Sequence, residues 1–260
     1  MNILITGAAG GLARATIEKL KQYDVHIWAS VHTEKQLELA QERYKNDKQI
    51  TCLKLDVTDA KDRQKLQKMD IDVFLSNAAI GEGGSMAEID IDRVRHNFEV
   101  NVFSNYALTQ IVLKNMIKKG KGRIIMMGSL AGHYAIPFLG SYCATKASII
   151  KMTESLRKEL LLLPADIDVV LIEPGLYRTG FNQVMFENKY DAMYKKSYFE
   201  DEIALIHEKE TLILKYVTRK EYHTIVNQMV RAIVSPHPKQ IYKAPFWQSL
   251  GIKLYMLWKE

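Results

Sequence analysis

Cysteine is scarce in this chain of 260 residues, and long apolar runs are missing. The 2 cysteines, Cys52 and Cys143, stand in no metal-binding or redox spacing, so we predict no metal site. No stretch approaches the roughly 20 apolar residues that a membrane-spanning helix needs. We also expect no signal peptide, because the first residues lead directly into a predicted strand. We therefore expect a cytoplasmic location in which thiols stay reduced.

Charge of one sign is in only small excess. The chain has 36 Lys and Arg against 30 Asp and Glu, a net charge of +6 that is spread along the sequence. A nucleic-acid surface would need a basic face interleaved with stacking aromatic side chains, and the sequence contains none. We therefore expect no nucleic-acid partner. An apolar fraction of 47% is typical of a globular protein that can bury one large core.

Short apolar runs alternate with longer amphipathic segments. The runs predict strands at Asn2–Thr6, Val25–Ser30, Thr51–Leu55, Val73–Ser76, Arg123–Met127 and Ile167–Ile172. Helices are predicted near residues 11–22, 33–45, 59–68, 90–118, 141–162 and 219–234. This alternation is typical of an α/β fold with a doubly wound, mostly parallel sheet, a Rossmann fold in three α/β/α layers. No repeat or Pro/Gly-rich linker interrupts it, so residues 1–260 are predicted to form a single domain.

A glycine turn connects the first strand to the first helix and reads TGAAGGLARAT from Thr6 to Thr16. Gly7 allows a tight turn, and Gly11 lets the backbone approach a ligand closely. Ala13 replaces a third glycine at the point where helix and strand pack, which is an accepted exchange. Such a turn exposes backbone N–H groups at a helix N-terminus, so it predicts binding of a dinucleotide pyrophosphate.

Ser129, Tyr142 and Lys146 stand at spacings that suit proton transfer. On a helix, Tyr142 and Lys146 would leave the same face about one turn apart. An ammonium about 4 Å from the tyrosine hydroxyl would contribute roughly 4 kcal/mol, or about 3 pH units, before the cost of desolvation. That shift would make Tyr142 a general acid or base near neutral pH, and Ser129 could bind the same substrate oxygen. Taken alone, the pair also fits two solvated side chains.

Further motifs follow the predicted strands in order. They read LDVTD at residues 55–59, SNAA at 76–79, EVNVFSN at 99–105 and PGLYRT at 174–179. With the glycine turn and the Ser129, Tyr142 and Lys146 set, they resemble the shorter, single-domain branch of the short-chain dehydrogenase/reductase family. Two positions of SNAA depart from the family's Asn-Asn-Ala-Gly.

The resemblance implies an oxidoreductase that moves hydride between a nicotinamide cofactor and a hydroxyl or keto group. Tyr142 would exchange the proton, Lys146 would lower the pKa of Tyr142 and bind the nicotinamide ribose, and Ser129 would orient the substrate oxygen. Asn101 would hold a water, although a helix kink or a satisfied core amide is the alternative for it. The cofactor residues implied or inferred are Thr6, Gly7, Gly11, Leu12, His32, Asp56, Val57, Asn77, Tyr142, Lys146, Pro174, Gly175, Tyr177 and Thr179.

The end of the second strand favours NADP(H) over NAD(H). An acidic residue there usually holds the 2′-hydroxyl of NAD, whereas a 2′-phosphate needs donors or cations. Val31 stands at the expected position of the acid, and His32 stands where NADP-dependent relatives often have arginine. Ser30, His32 and Thr33 would therefore surround the phosphate, although His32 also fits an ordinary surface histidine.

Residues 176–214 form a long segment after the sixth strand that we expect to cover the substrate. Core packing under two short helices is the alternative. Its large apolar side chains predict a bulky apolar alcohol or ketone as substrate, such as a steroid, an isoprenoid or an acyl chain. Four residues after Ser129 could form further walls of the same substrate pocket. The side chains are Phe181, Met185, Phe186, Tyr190, Met193, Tyr194, Tyr198 and Phe199, and the further walls are His133, Tyr134, Phe138 and Leu139.

The C-terminal tail, residues 245–260, is amphipathic, with apolar side chains at Phe246, Trp247, Leu250, Leu254, Leu257 and Trp258. It could lie on a membrane surface, pack on a second subunit or close the substrate pocket, and packing is favoured over membrane contact. By analogy with the family we expect a homodimer or homotetramer. A catalytically silent nucleotide-binding protein, acting in redox sensing or as a scaffold, is the alternative function.

Overall fold

The structure is a computed structural model that describes residues 1–193, 197–217 and 222–257. Several predicted features lie outside the described residues: Tyr194, Trp258 and residues 219–221, together with the side chains of Tyr190, Met193, Leu254 and Leu257.

Seven parallel strands form one sheet within the described residues. They are β1 (Asn2–Ile5), β2 (His26–Val31), β3 (Ile50–Lys54), β4 (Val73–Ser76), β5 (Lys121–Met127), β6 (Asp166–Glu173) and β7 (Ile241–Lys243). Their order across the sheet is β3-β2-β1-β4-β5-β6-β7. The order reverses between β1 and β4, and ligands of open α/β sheets bind at the carboxyl ends of the strands beside such a point.

Helices lie on both faces of this sheet and give it three layers. The described helices are α1 (Gly11–Leu20), α2 (Glu34–Arg43), α3 (Ala60–Gln64), α4 (Ile91–Phe98), α5 (Asn105–Lys119), α6 (Gly140–Leu160), α7 (Phe181–Met193), α8 (Glu200–Val217), α9 (His223–Val234) and α10 (Phe246–Leu257). The single-domain Rossmann-type fold predicted from the sequence is confirmed. None of the described helices is both long and apolar enough to cross a bilayer.

Two apolar clusters form the core, one on each face of the sheet. Successive residues of a strand point to opposite faces, so Ile3 and Ile5 belong to one cluster and Leu4 to the other. Ile17 of α1 joins the first cluster, and Leu108 of α5 joins the second. The strands are apolar on both sides because both sides are covered, which is why they read as unbroken apolar runs.

The structure differs from the predicted elements in three places. The helix predicted for 90–118 is divided, because Glu99–Ser104 forms a π-helical turn between α4 and α5. The short strand β7 had no predicted counterpart. The segment 176–214 contains α7 and most of α8 and is therefore mostly helical.

Candidate active site

A cleft of about 480 Å³ opens at the carboxyl ends of the strands, beside the point where the strand order reverses. Most of the predicted site residues line it. They are Gly7, Gly11, Leu12, His32, Asp56, Val57, Asn77, Ser129, Tyr142, Lys146, Pro174, Gly175, Tyr177 and Thr179. Two predicted residues, Thr6 and Asn101, do not belong to the lining.

The glycine turn forms a cradle that side chains would fill. Gly7 has a φ of +66°, and a Cβ there would lie 2.9 Å from the Cα of Ala78. A Cβ on Gly11 would lie 3.0 Å from Thr179. Within the described residues no side chain caps the N-terminus of α1, so its first N–H groups face the cleft unshielded. These donors and the close backbone approach fit the pyrophosphate of a dinucleotide.

Thr6, predicted as a cofactor contact, is buried beneath the cradle and bonds to the neighbouring backbone. Its Oγ1 accepts hydrogen bonds from the backbone N–H groups of Asn77 at 3.0 Å and Ala78 at 3.1 Å. Its hydroxyl points toward the carbonyl of Leu75 at 3.4 Å. The Nδ2 of Asn77 in turn donates to the carbonyl of Thr6 at 2.9 Å. Thr6 therefore fixes the end of β4 against the end of β1.

Ser129, Tyr142 and Lys146 converge at the centre of the cleft. Ser129 lies two residues after the end of β5 and caps a 3₁₀ turn, accepting a hydrogen bond from Ala131 N at 3.1 Å. Its hydroxyl is also near enough to the phenol of Tyr142 to lower the pKa of that phenol. Lys146, one turn further along α6, donates to the carbonyl oxygen of Met127 at 2.9 Å. The side chains of Tyr142 and Lys146 therefore share one face of α6, as their spacing predicted.

The ionisation of this pair differs from the prediction. Burial raises the pKa of Tyr142 above its ordinary value, and the nearby Ser129 hydroxyl offsets only part of that rise. Burial also lowers the pKa of Lys146 to about 8. The Nζ of Lys146 lies 5.7 Å from the centre of the Tyr142 ring. The expected lowering of the tyrosine pKa is wrong for this structure, because the cost of desolvating both groups exceeds the attraction that the simple estimate counted.

Asn101 lies in the π-helical turn and is fully buried beneath the cleft. Its Oδ1 accepts from Ile80 N at 2.8 Å, and its Nδ2 donates to Ile80 O at 2.9 Å and to Asn97 Oδ1 at 2.7 Å. The side chain thus has the contacts of a satisfied core amide in a distorted helix, which was the alternative interpretation. These bonds fix the loop that follows Ala78 and Ala79 in the cleft wall.

His32 and Asp56 meet at the rim of the cleft, at the ends of β2 and β3. The Nε2 of His32 lies 3.3 Å from Oδ2 of Asp56. Burial disfavours the charged carboxylate, but two hydrogen bonds from Thr58 and the contact with His32 outweigh it and lower the pKa of Asp56. The other two residues predicted around the phosphate do not belong to the cleft lining. Ser30 is fully buried, and the Thr33 side chain accepts a bond from Gln36 N as the cap of α2.

The other end of the cleft is apolar. Phe181, Met185 and Phe186 of α7 line it, and the Phe181 ring lies 5.9 Å from that of Tyr142. Leu139 lines it too, as predicted, whereas the other predicted wall residues whose side chains the structure describes do not. Tyr198 is exposed, Phe199 packs on Phe138, and His133 contacts Glu173 at 2.7 Å; Tyr134 likewise does not belong to the lining.

The start of the C-terminal helix packs beside the loop after β6. The buried Gln248 donates a hydrogen bond from Nε2 to the carbonyl of Leu176 at 3.0 Å. A Cβ on Gly175 would overlap the side-chain amide of Gln248. This contact is made within the chain, and through it the helix supports the cleft wall at Gly175 and Leu176.

Several lining residues were not predicted from the sequence. They are Gln36, Thr58, Ile80, His96, Val100, Ile136 and Asn182. Gln36 could have been found, because it lies in the first turn of the helix after His32, and Thr58 belongs to the quoted LDVTD motif. Among the described residues, no group of three or more His, Cys, Asp or Glu side chains could hold a metal ion.

Comparison with known proteins agrees with this geometry. The family described as short chain dehydrogenase matches residues 1–190. The chain belongs to the short-chain dehydrogenase/reductase family. It is 30% identical to the NADPH-dependent 3-dehydrocapnine reductase of Ornithobacterium rhinotracheale, over 68% of this chain and 65% of that protein. It is 32% identical to the NADP-dependent 3-hydroxy acid dehydrogenase of Schizosaccharomyces pombe, over 88% and 91% of the two chains.

The solved structures show the same fold. A short-chain dehydrogenase/reductase from Burkholderia phymatum, in complex with NAD, superposes with a TM-score of 0.76 over 92% of this chain and 88% of that one, at 18% identity. This short-chain dehydrogenase/reductase is therefore an NAD(P)-dependent oxidoreductase that acts on CH–OH groups and the corresponding ketones.

Proposed function

We propose that this enzyme transfers a hydride between NADP(H) and a secondary alcohol or ketone carried by a bulky apolar molecule. One observation carries the proposal: Tyr142 lines the same cleft as Ser129 and the glycine cradle, and its ring lies 5.9 Å from that of Phe181 in the apolar wall formed by α7. A substrate oxygen placed beside the two hydroxyl groups would have its carbon skeleton against Phe181 and Met185. The bound cofactor would supply or accept the hydride.

Each residue of the catalytic group has a proposed task in this reaction. Tyr142 gives a proton to the ketone oxygen or takes one from the alcohol, and Ser129 orients that oxygen. Lys146 would hold the nicotinamide ribose, and with its pKa lowered to about 8 it can release and regain a proton near neutral pH. Asn101 acts from beneath, since its bonds to the backbone of Ile80 fix the loop beside the cofactor.

The proposed cofactor residues surround the cradle. Gly7, Gly11 and Leu12 would hold the pyrophosphate, Asp56, Val57 and Asn77 the adenosine side, and Pro174, Gly175, Tyr177 and Thr179 the nicotinamide side, all of them in the cleft lining. The proposed preference for NADP(H) rests on His32, which lines the rim of the cleft and could donate to a phosphate. The sequence between the end of β2 and Glu34 contains no carboxylate that would repel that phosphate. The two relatives described above carry NADPH and NADP in their names.

The apolar end of the cleft supports a bulky substrate. Ile80, Ile136, Leu139, Met185 and Phe186 present carbon surface, and burial of apolar area is worth roughly 25 cal/mol per Å². A steroid, isoprenoid or acyl chain could cover this apolar surface, whereas a small sugar would leave it exposed to water. Residues 176–214 are proposed to cover the bound substrate, with α7 as the described wall.

A graded ketone panel tests the proposal. Purified enzyme would be given cyclohexanone, a decalone and a steroid ketone, each with NADPH or NADH, while loss of the reduced nicotinamide is followed. We expect kcat/KM to rise with apolar bulk and to be higher with NADPH. A preference for the smallest or most polar ketone contradicts the substrate class, and a preference for NADH contradicts the cofactor. Tight NADPH binding without turnover on any ketone would favour the silent nucleotide-binding alternative.

Assembly and location remain predictions. A homodimer or homotetramer is supported by the exposed Phe103 and Met152, which lie close to α5 and on α6. The exposed fractions of these side chains are 57% and 37%. Sedimentation of the purified chain tests the assembly, and a cytoplasmic location is retained from the sequence.

A further inference from the structure

The outer face of α10 leaves large apolar side chains in contact with solvent. Phe246 is 79% exposed, Trp247 41% and Leu250 44%. Phe246 and Leu250 are four residues apart and therefore share one face of the helix, with Trp247 beside them. Gln248 lies on the opposite face and is fully buried against the loop after β6. The helix is thus held to the protein by one side and presents an apolar surface on the other.

Two lysines flank this surface, and α10 itself contains no Asp or Glu. Lys243 stands three residues before Phe246, and its side chain is 63% exposed although its Nζ lies 3.9 Å from the buried Glu173. Lys253 is exposed three residues after Leu250, at the edge of the apolar face. Apolar and aromatic side chains bordered by lysines are the pattern of helices that lie in a membrane interface. Basic residues near such a helix are attracted by the negative potential of anionic lipids.

We propose that the outer face of α10, formed by Phe246, Trp247 and Leu250 and bordered by Lys253, docks on an anionic membrane surface. Charge decides between the possible occupants. A second copy that presented the same face would bring the flanking Lys243 and Lys253 of both copies together, and like charges repel. An anionic bilayer offers both the apolar depth for the three side chains and the opposite charge for the lysines.

The docking surface lies beside the cleft. Gln248, on the inner side of α10, is bonded to the carbonyl of Leu176, which lines the cleft. A helix with its side chains is about 10–12 Å across, so the membrane would lie roughly that far from the cleft wall. If the proposed function holds, an apolar substrate dissolved in the bilayer would then reach the site without crossing much water.

Vesicle binding by the full chain tests the docking surface, and it needs no turnover. We expect cosedimentation with phosphatidylcholine vesicles that contain phosphatidylglycerol, at least about tenfold more tightly than with phosphatidylcholine alone. The triple variant Phe246→Ser, Trp247→Ser, Leu250→Ser should bind roughly 100-fold more weakly. High salt should weaken binding by the wild-type chain.

A matched control lies at the other edge of the sheet. Leu161 and Leu162 are 79% and 85% exposed in the turn between α6 and the start of β6. The helix α10 packs instead beside the loop that follows the end of β6. The variant Leu161→Ser, Leu162→Ser should bind vesicles like the wild type. The proposal is overturned if the wild-type chain binds neither kind of vesicle, or if the control variant loses vesicle binding as strongly as the triple variant. It is also overturned if the triple variant only separates oligomers, which would identify the face as a contact between copies.

Discussion

The side-chain nitrogen of Lys146 lies 2.9 Å from the carbonyl oxygen of Met127, the last residue of β5. This bond holds the lysine on the sheet edge, one helical turn from Tyr142 and in a fully buried position. The site therefore has two ionisable groups whose charged forms are both disfavoured by burial. Their shifts run in opposite directions on the pH scale, since one group is a base and the other an acid.

Lys146 should make stability depend on pH above neutrality. Its pKa falls from 10.5 to about 8 on folding, so between those values the unfolded chain binds more protons than the folded one. The free energy of unfolding should therefore gain a rising contribution, about 3 kcal/mol across the window. Tyr142 acts oppositely, but only above pH 10, where the unfolded phenol ionises.

Denaturant unfolding at a series of pH values between 8 and 10 measures this slope. Lys146→Met removes the titrating group, so the variant should lose the rising contribution while it keeps the slopes of all other groups. Lys151→Met, an exposed lysine on the same helix, is the matched control and should leave the slope unchanged. Equal slopes in wild type and Lys146→Met would contradict the burial account.

Thr6→Val should loosen the cradle without changing its shape. Valine fills the same space but offers no acceptor to the N–H groups of Asn77 and Ala78, which Thr6 Oγ1 now satisfies. Leaving buried donors unpaired should cost about 2 kcal/mol or more of unfolding free energy and weaken NADPH binding. Thr6→Ser retains the hydroxyl and should lose much less in both. Chemical denaturation and fluorescence titration measure the two effects, and equal losses in Val and Ser would show that the hydroxyl does not hold the cradle.

The losses of unfolding free energy caused by Gly175→Ala and Gln248→Ala should not be additive. An alanine Cβ at 175 must displace the Gln248 amide, which then loses its bond to Leu176 O, about 1 kcal/mol. In a Gln248→Ala background that bond is already gone, so Gly175→Ala should cost clearly less there. A double-mutant cycle of unfolding free energies measures the coupling. Simple additivity would mean that α10 does not support the cleft wall.

His32→Ala should reduce the preference for NADP(H). A hydrogen bond to a charged phosphate is worth about 1.5–3 kcal/mol, so the Kd for NADPH should rise by roughly tenfold or more. The Kd for NADH should change little, since it lacks the phosphate. His237→Ala, at an exposed histidine outside the cleft lining, is the control. Calorimetric titration of each variant with NADPH and with NADH measures the two Kd values. Parallel changes in both would argue against a contact between His32 and the phosphate.

Most of the sheet could be predicted because burial on both faces leaves a direct mark on the sequence. Val73–Ser76 is apolar up to its last residue, and β4 has the same limits in the structure. The strand β7 has only three residues, too few to show a period. The π-helical turn at Glu99–Ser104 could not be predicted either, because an amphipathic pattern does not reveal an extra residue within one turn.

The cleft could be predicted because motifs that follow parallel strands meet at one edge of the sheet. What the motifs could not give was the direction of each side chain. Thr6 and Asn101 both belong to the motifs, yet the structure turns their side chains into the protein, where they bond to neighbouring backbone. Likewise, an estimate from spacing gave the attraction between Tyr142 and Lys146 but not the desolvation that reverses its effect on the tyrosine pKa.

Tyr142→Phe tests the central claim most directly, because it removes one hydroxyl and leaves the ring against Phe181. Hydride transfer and NADPH affinity should be measured on the same preparation with the best ketone of the panel. We predict that kcat falls by about 1,000-fold or more while the Kd for NADPH changes less than about threefold. A variant that keeps near-normal turnover would contradict the assignment of Tyr142 as the group that exchanges the proton.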